Sequence, residues 1–91
     1  MRKEFLAIVS GKVQMVMYRD FAQRNARTRD ITGTVKNLPN KTVEVVAQGE
    51  ETKLLSYVER LKKGSFLSRV EEVKVEWREP SEEFQGFSIV Y

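Results

Sequence analysis

Apolar side chains recur with two different periods along the chain, and the changes of period divide it into elements. Residues 4–13, EFLAIVSGKV, hold a run of aliphatic side chains that predicts a buried central strand. Residues 19–29 lose the β-branched side chains and place Phe21, Ala22 and Ala26 at helical spacing. We therefore predict a strand followed by a helix whose outer face is strongly basic.

The next two apolar segments alternate as strands do and are separated by a turn. Residues 32–37, TGTVKN, and residues 42–49, TVEVVAQG, flank the sequence LPNK. Pro39 fixes φ for the first central position of a turn, and Asn40 tolerates a positive φ at the second. These two segments are predicted to form a β-hairpin.

A helical period returns in residues 51–64, ETKLLSYVERLKKG. The apolar side chains predicted to share its buried face are Leu54, Leu55, Val58 and Leu61. Two lysines lie near the negative end of the helix dipole, and Gly64 predicts where the helix stops. This segment is the clearest helix in the sequence.

The last third of the chain returns to strand-like alternation. Residues 68–77, SRVEEVKVEW, alternate valines with charged residues, but the alternation slips at Glu71 and Glu72. Such a slip predicts a β-bulge. Residues 84–91, FQGFSIVY, follow Pro80 and are predicted to form a final strand.

The predicted order is β-α-β-β-α-β plus a C-terminal strand, which is the ferredoxin-like split βαβ arrangement of the α+β class. Right-handed crossovers would place both helices on one face of the sheet, which we expect to be antiparallel. Residues 1–91 are expected to form a single domain with one core and to be a free-standing protein. Because this architecture hosts many functions, the fold alone predicts none of them.

The composition excludes most familiar catalytic centres. The sequence has no cysteine and no histidine, which excludes disulfides, thiolate sites, histidine-ligated metals and Ser-His-Asp triads. Its 13 acidic residues show no spacing typical of a calcium loop. We therefore expect neither a metal ion nor another cofactor.

Charge and hydropathy bound the partners and the location. A net charge of +3 mildly favours anionic ligands. Apolar runs such as FLAIV are far shorter than the ~20 residues that span a bilayer, and no signal peptide is recognisable. We expect a cytoplasmic protein with no membrane partner.

The loop at residues 11–19, GKVQMVMYR, joins the first strand to the first helix. Backbone N–H groups at a helix N-terminus have no intrahelical partner and lie in a positive potential, so such a place binds phosphate. Arg19 lies there, where a cation is favourable only if an anion is bound beside it. The alternative is a solvated Arg19, or one paired with Asp20 or the C-terminal carboxylate.

Asn37 is the second candidate site residue. It follows a predicted strand and precedes the hairpin turn, so its amide can project at one edge of the sheet. An amide can accept a hydrogen bond from a water molecule and donate to it. The alternative is that Asn37 caps its own backbone at the turn.

Two separated segments carry a resemblance to a known family. The sequence GKVQMVMYR at 11–19, then Ala26, GTVKNLP at 33–39 and VE at 43–44, resembles the acylphosphatase pattern GxVQGVxFR…A…GxVxN…VE. The Val-rich strand ending in Trp77 and the closing GFSIVY follow in family order. The resemblance therefore covers the whole chain.

The resemblance implies an acylphosphatase, which hydrolyses the carboxyl-phosphate bond of acyl phosphates without a metal ion. By position, Arg19 would hold the phosphoryl oxygens, and Asn37 would orient the attacking water. The backbone amides that would bind the phosphate belong to Gln14, Met15, Val16, Met17, Tyr18 and Arg19. The expected partners are a small acyl phosphate and inorganic phosphate, and a monomer is expected.

Several residues depart from the family pattern, including Thr34 and the pair Asn40 and Lys41 in the hairpin turn. Met15 stands where the family has a loop glycine, and a positive φ at that position would cost a non-glycine residue about 1–2 kcal/mol. A catalytically weak or inactive anion-binding module is therefore the alternative function. Arg29 and Asp30 replace the aliphatic residue and the glycine that usually close the first helix.

An RNA-binding module is a further alternative, because ferredoxin-like sheets also bind RNA and the first helix is basic. Such modules stack bases on aromatic side chains of the central strands. The strand TVEVVAQG has no aromatic residue. We therefore expect no nucleic-acid partner.

Overall fold

The computed structural model describes residues 2–14, 17–80 and 82–91 of the 91-residue chain. Its elements are β1 Arg2–Lys12, α1 Tyr18–Arg27, β2 Thr32–Asn37, β3 Val43–Glu50, α2 Glu51–Lys63, β4 Arg69–Arg78 and β5 Phe87–Val90. The predicted α+β class and the ferredoxin-like order of elements are confirmed.

The five strands form one sheet in the order β4-β1-β3-β2-β5, and β1 lies inside it between β4 and β3. β1 is antiparallel to both neighbours, with Phe5 opposite Ala47 on one side and Trp77 on the other. α1 contacts β2 and β5, α2 contacts β3 and β4, and the two helices touch each other. Both helices therefore cover one face of the sheet.

The expectation of an antiparallel sheet is wrong at one edge. β5 pairs parallel with β2, with Val35 opposite Ile89 and Lys36 opposite Val90. The reason is the route of the chain after β4, because residues 79–86 lead from one edge strand to the other across the end where β1 and β2 begin. β5 then runs antiparallel to β4 and in the same direction as β1 and β2. The sheet is therefore mixed.

The predicted bulge is present in β4. The register slips between Ser10 and Gly11, so Glu71 has no partner residue in β1. Gly11 has a φ of 121°, and a Cβ atom there would lie 2.2 Å from the carbonyl oxygen of Arg69. Because only glycine permits this approach, Gly11 fixes the point from which the chain leaves the sheet toward α1.

The predicted hairpin joins β2 to β3, but the residue with positive φ was predicted wrongly. Lys41, not Asn40, has a φ of 69°. The loop is closed by hydrogen bonds from Lys41 N to Leu38 O at 3.2 Å and from Leu38 N to Thr42 O at 2.8 Å. Asn40 instead accepts hydrogen bonds from Thr42. The loop therefore contains one residue more than a two-residue turn, and that residue takes the left-handed conformation.

Both helices lie close to their predicted ranges. α1 begins one residue earlier than predicted, and Asp30 beyond its end has a φ of 56°, a conformation that aspartate tolerates. α2 ends at Lys63 and is followed by Gly64 with a φ of 79°. The predicted glycine stop is confirmed.

The buried face of α2 differs by one residue from its prediction. Tyr57 is fully buried, whereas Leu55 is 49% exposed. Spacings of three and four residues place Tyr57 on the stripe of Leu54, Val58 and Leu61, and Leu55 lies about 100° around the axis from the residue before it.

The core lies between the sheet and the two helices. Its fully or nearly fully buried residues from the strands are Phe5, Ala7, Val9, Val35, Val43, Val45, Ala47 and Phe87. Phe5 packs edge-on against Trp77, and Tyr57 packs edge-on against Phe87. In the described part of the chain, no helix has the length and hydropathy needed to cross a bilayer.

Candidate active site

One end of the sheet gathers the residues singled out in the sequence. β1 and β2 end there beside the start of β3, since Val9 and Asn37 are both opposite Val43. β5 runs parallel to β2 and ends at the same place, so Tyr91 follows beside Asn37. α1 also begins at this end. The structure thus brings Arg19 and Asn37 to one end of the fold.

The N-terminus of α1 has the backbone geometry of an anion site. Met17 precedes the helix with a φ of 62°, and its carbonyl oxygen accepts the first helical hydrogen bond from Phe21 N at 3.0 Å. The N–H groups of Tyr18, Arg19 and Asp20 precede that bond and have no partner within the helix. The helix dipole adds a positive potential at the same place.

The Arg19 guanidinium lies over an aromatic ring and not beside an acid. Its Cζ atom is 4.9 Å from the centroid of the Tyr91 ring. Asp20, the alternative partner, accepts a hydrogen bond from Arg24 Nε at 2.9 Å. Arg19 forms no ion pair with any residue that the structure describes. The ring orients the guanidinium, and the in-plane N–H groups of the guanidinium stay available to an anion.

An open pocket of about 530 Å³ adjoins this guanidinium. The residues around it are Val13, Met17, Tyr18, Arg19, Asp20, Ile89 and Tyr91. Val13 and Ile89 form an apolar wall, and Arg19 with the first turn of α1 forms the polar one. A pocket of this composition suits an anion that carries a small apolar substituent.

Asn37 ends β2 with an unused acceptor. Its Oδ1 atom is buried and has no hydrogen-bond partner among residues 2–14, 17–80 and 82–91. The alternative in which this oxygen caps its own backbone is therefore not realised in the described structure. A buried acceptor without a partner costs about 1–3 kcal/mol, which a bound water or ligand would recover.

The side chain of Gln14 connects the loop to the hairpin that begins after Asn37. Its Nε2 atom donates to the backbone oxygens of Leu38 at 3.0 Å and of Thr42 at 2.8 Å. Both amide hydrogens are thus used within the protein. This pair of hydrogen bonds holds the start of the loop at a fixed distance from Asn37.

Two buried tyrosines hold α1 against α2. The Tyr18 hydroxyl donates to Leu61 O at 2.8 Å, and the Tyr57 hydroxyl donates to Ala22 O at 2.7 Å. Burial raises the pKa of Tyr18 above its usual range. Burial, with a smaller contribution from Tyr18, also raises the pKa of Tyr57. Both hydroxyls are therefore structural donors at neutral pH, and neither is a candidate acid or base.

Part of the predicted loop is beyond the described structure. Met15 and Val16, two of the predicted phosphate-binding residues, lie outside the described residues. Within the described ranges, no group of three or more acidic side chains could hold a metal ion.

Two features of the site were missed by sequence reasoning. Tyr91 reaches Arg19 only because β5 pairs parallel with β2, and the segment FQGFSIVY does not indicate which edge it joins. Gln14 was predicted for its backbone amide alone, because no local pattern signals the hairpin oxygens that its side chain meets. Both features depend on contacts between distant parts of the sequence.

Sequence comparison matches this chain to proteins of known family. The model of the acylphosphatase family matches residues 5–89. An acylphosphatase from Thermus thermophilus is 43% identical over 84 residues, which cover 92% of this chain and 94% of that protein. An acylphosphatase from Clostridium acetobutylicum is 40% identical over 91 residues and is matched over the full length of both chains.

Structural comparison agrees with the sequence matches. The crystal structure of acylphosphatase from Bacillus subtilis superposes with a TM-score of 0.95 and 41% identity, covering 100% of both chains. An acylphosphatase from Coxiella burnetii superposes with a TM-score of 0.92 and 32% identity, covering 98% of this chain and 93% of that one.

Proposed function

Because the chain belongs to the acylphosphatase family and is therefore a hydrolase, we propose that it cleaves a small acyl phosphate at the end of the sheet carrying Arg19 and Asn37. The products are a carboxylate and inorganic phosphate. The observation that carries this proposal is the Arg19 guanidinium, which stacks on Tyr91 beside the free amides of α1 and pairs with no described acid.

The phosphoryl group binds between Arg19 and the amides at the start of α1. The planar guanidinium matches two phosphoryl oxygens, and the amides of Tyr18 and Arg19 bind the third. Gln14, Met15, Val16 and Met17 complete the proposed loop. Donors that are already oriented stabilise the charge of the transition state with little reorganisation.

Asn37 orients the attacking water. Its buried Oδ1 atom has no partner among the described residues, so it accepts a hydrogen bond from the water without breaking an existing one. The water oxygen forms a bond to phosphorus as the bond from phosphorus to the acyl oxygen breaks. The acyl group leaves as a carboxylate, and the water proton passes to the solvent or to a phosphate oxygen.

A strong base is unnecessary for this reaction. Carboxylate is a good leaving group, so positioning and charge stabilisation supply the catalysis. The apolar wall of Val13 and Ile89 is suited to the acyl substituent. This accounts for a site that holds neither histidine nor cysteine.

The proposal includes a cytoplasmic monomer with no nucleic-acid partner. The absence of cysteine agrees with a reducing compartment. Size-exclusion chromatography with light scattering tests the monomer, and a mass of two chains would contradict it.

Steady-state hydrolysis of benzoyl phosphate in the presence of EDTA tests the function. Wild type should turn over, and Arg19→Ala and Asn37→Ala should each lower kcat/KM by about 10²–10³. Arg27→Ala, an exposed arginine of the same helix, and Asn40→Ala, an exposed asparagine of the same hairpin, are the matched controls and should stay within about twofold of wild type.

Two results would contradict the proposal. If Arg19→Ala and Asn37→Ala both hydrolysed benzoyl phosphate at the wild-type rate, the active site could not lie at this end of the sheet. A folded wild type without turnover would instead favour the anion-binding alternative that Met15 raises.

A further inference from the structure

Two arginines, Arg29 and Arg60, meet on the outer side of the two helices, away from the active site. Arg29 Nη1 lies 3.4 Å from Asn25 Oδ1, and Arg60 Nε lies 3.2 Å from the same oxygen. A single neutral oxygen atom thus receives N–H groups from two cationic side chains on different helical segments. Charges of the same sign that converge in this way repel each other.

No acid of the described structure neutralises this pair. Neither Arg29 nor Arg60 forms an ion pair within the described ranges. The acids that adjoin them in sequence bind lysines instead, with Asp30 3.2 Å from a lysine of α2 and Glu59 3.6 Å from another. The positive charge at this place is therefore left for a ligand.

The two guanidiniums are held in position by neutral contacts. Arg60 Cζ lies 5.9 Å from the centroid of the Phe21 ring. Arg29 donates from Nε to Ser56 Oγ at 3.2 Å and from Nη1 to Asn25 O at 3.0 Å. Because these contacts already orient the long side chains, a ligand would immobilise little additional freedom.

The hydrogen-bonding groups that remain are donors. Among the described residues, Arg29 Nη2 and both Nη atoms of Arg60 have no acceptor. The Ser56 hydroxyl accepts from Arg29 and keeps its own hydrogen to donate. A group with several acceptor oxygens and a negative charge, such as phosphate, matches this set.

We propose that Arg29, Arg60 and Ser56 form a second anion site, which binds the phosphate group of a small soluble molecule. One tetrahedral oxyanion contacts both guanidiniums at once and removes their repulsion. Arg29 stands where the acylphosphatase pattern has an aliphatic residue, so this half of the site is a departure from that pattern. The proposal does not depend on the hydrolytic function.

The second site is far enough from the first to be measured separately. Arg19 is in the first turn of α1, whereas Arg29 follows its last turn. Ten residues of helix correspond to about 15 Å. One phosphate ion therefore cannot contact both sites, and binding at each site can be followed through its own residues.

NMR titration of the Arg19→Ala protein tests the site, because this background removes the guanidinium of the active site. The probes are sodium phosphate and glycerol phosphate, with sodium chloride at matched ionic strength as the control. We expect saturable shifts of the Asn25 side-chain amide and of the Ser56 and Arg60 backbone amides with phosphate, and no such shifts with chloride. Saturation by glycerol phosphate as well would indicate a phosphate ester as the ligand, and saturation by inorganic phosphate alone a free ion.

Two substitutions within the site and one control on the same helix test whether phosphate binding depends on these two arginines. Arg29→Leu restores the aliphatic side chain of the family pattern, and Arg60→Gln removes the second charge. Each should weaken phosphate binding at least about tenfold. Lys63→Gln removes an equal charge from the same helix and should leave the affinity within about twofold.

If sodium chloride produced the same NMR shifts as phosphate, the shifts would report only the screening of charges by salt, and the proposal would be overturned. Absence of any saturable shift would overturn it too, as would phosphate shifts that persist in both Arg29→Leu and Arg60→Gln.

Discussion

Compared with the end of the sheet that carries Arg19 and Asn37, the opposite end has paired its buried polar groups. There the carboxylate of Glu4, which is fully buried, accepts from Gln48 Nε2 at 2.7 Å and from Arg78 Nε. Gln48 also donates to the backbone of the segment that follows β4. At the active-site end, by contrast, Oδ1 of Asn37 has no described partner.

The two ends differ in whether a buried polar group is paired within the described structure. Both ends are built from β1, β2 and β3, so the surrounding backbone is similar. A buried charge with several hydrogen bonds is tolerated because its desolvation is offset. An unpaired buried acceptor reduces stability by about 1–3 kcal/mol and keeps its capacity to bind. The two ends of the sheet therefore differ in how their buried polar groups are paired, and Ser65 Oγ is a further buried atom without a partner in the described structure.

The largest expected effect comes from breaking the paired end. Glu4→Ala leaves Arg78 Nε and one of the two amide hydrogens of Gln48 without an acceptor, and loss of one partner of a buried pair costs about 3–5 kcal/mol. Because the Arg78 side chain is 38% exposed and can turn to water, we expect the lower figure of about 3 kcal/mol. Urea unfolding followed by circular dichroism measures the change.

Asn37→Ala is the control at the other end. It removes a buried acceptor that has no described partner, so the free energy of unfolding should not decrease. Equal losses of stability in Glu4→Ala and Asn37→Ala would contradict the distinction between the two ends.

Alkaline pH should weaken the fold through its two buried tyrosines, Tyr18 and Tyr57. Tyr18 and Tyr57 have raised pKa values in the folded state, against about 10 in the unfolded chain. Above pH ~10 the unfolded chain has released protons that the native state still binds, so stability decreases as pH rises. Each tyrosine should contribute a loss of about 1.4 kcal/mol per pH unit.

Urea unfolding at pH values from 9 to above 10 measures this dependence. Tyr57→Phe removes one titrating group and should reduce the steepness of the pH dependence by about 1.4 kcal/mol per pH unit, which isolates the contribution of Tyr57. The same slope in wild type and Tyr57→Phe would show that burial does not hold this hydroxyl protonated.

The smallest expected effect comes from loosening the active-site end. Gln14→Ala removes two hydrogen bonds to the hairpin, each worth about 0.5–1.5 kcal/mol. Because the loop then shifts relative to Asn37, hydrolysis of benzoyl phosphate by the folded protein should fall about tenfold. Denaturation and steady-state kinetics on one preparation measure both quantities.

Gln23→Ala is the matched control for Gln14→Ala. Gln23 Nε2 donates to Phe87 O at 2.9 Å, which is also a bond from a side-chain amide to a backbone oxygen. Its loss should lower stability without lowering the rate. A tenfold lower rate in Gln23→Ala would show that the hydrolysis assay responds to stability in general.

The elements were predictable because each is encoded locally. Periodicity gives both helices, and the slip at Glu71 indicates the bulge that the register contains. The parallel pairing of β5 was not predictable, because it depends on which edge is free after the chain has crossed the sheet. Tyr57 was missed on α2 because tyrosine carries a polar hydroxyl and was not counted among the apolar residues of the buried face.

The candidate site was predictable where a residue's place in the chain or a motif singles it out. Arg19 and Asn37 were candidates from their places at a helix N-terminus and at a strand end, the two-part family pattern implied their roles, and the structure brings them to the same end of the sheet. Their roles in the reaction stay predictions. Tyr91 and the side chain of Gln14 carry no local signal, since their partners lie at least 24 positions away along the chain.

The parallel edge strand also has a consequence for how activity appears during refolding. The pocket draws its walls from Val13 near one terminus and Ile89 near the other. No early local cluster can assemble it, because the closing contact has a large separation in sequence. Recovery of hydrolysis after dilution from denaturant should therefore follow the slowest cooperative folding step. The time course of regained activity then reports when β5 has paired with β2.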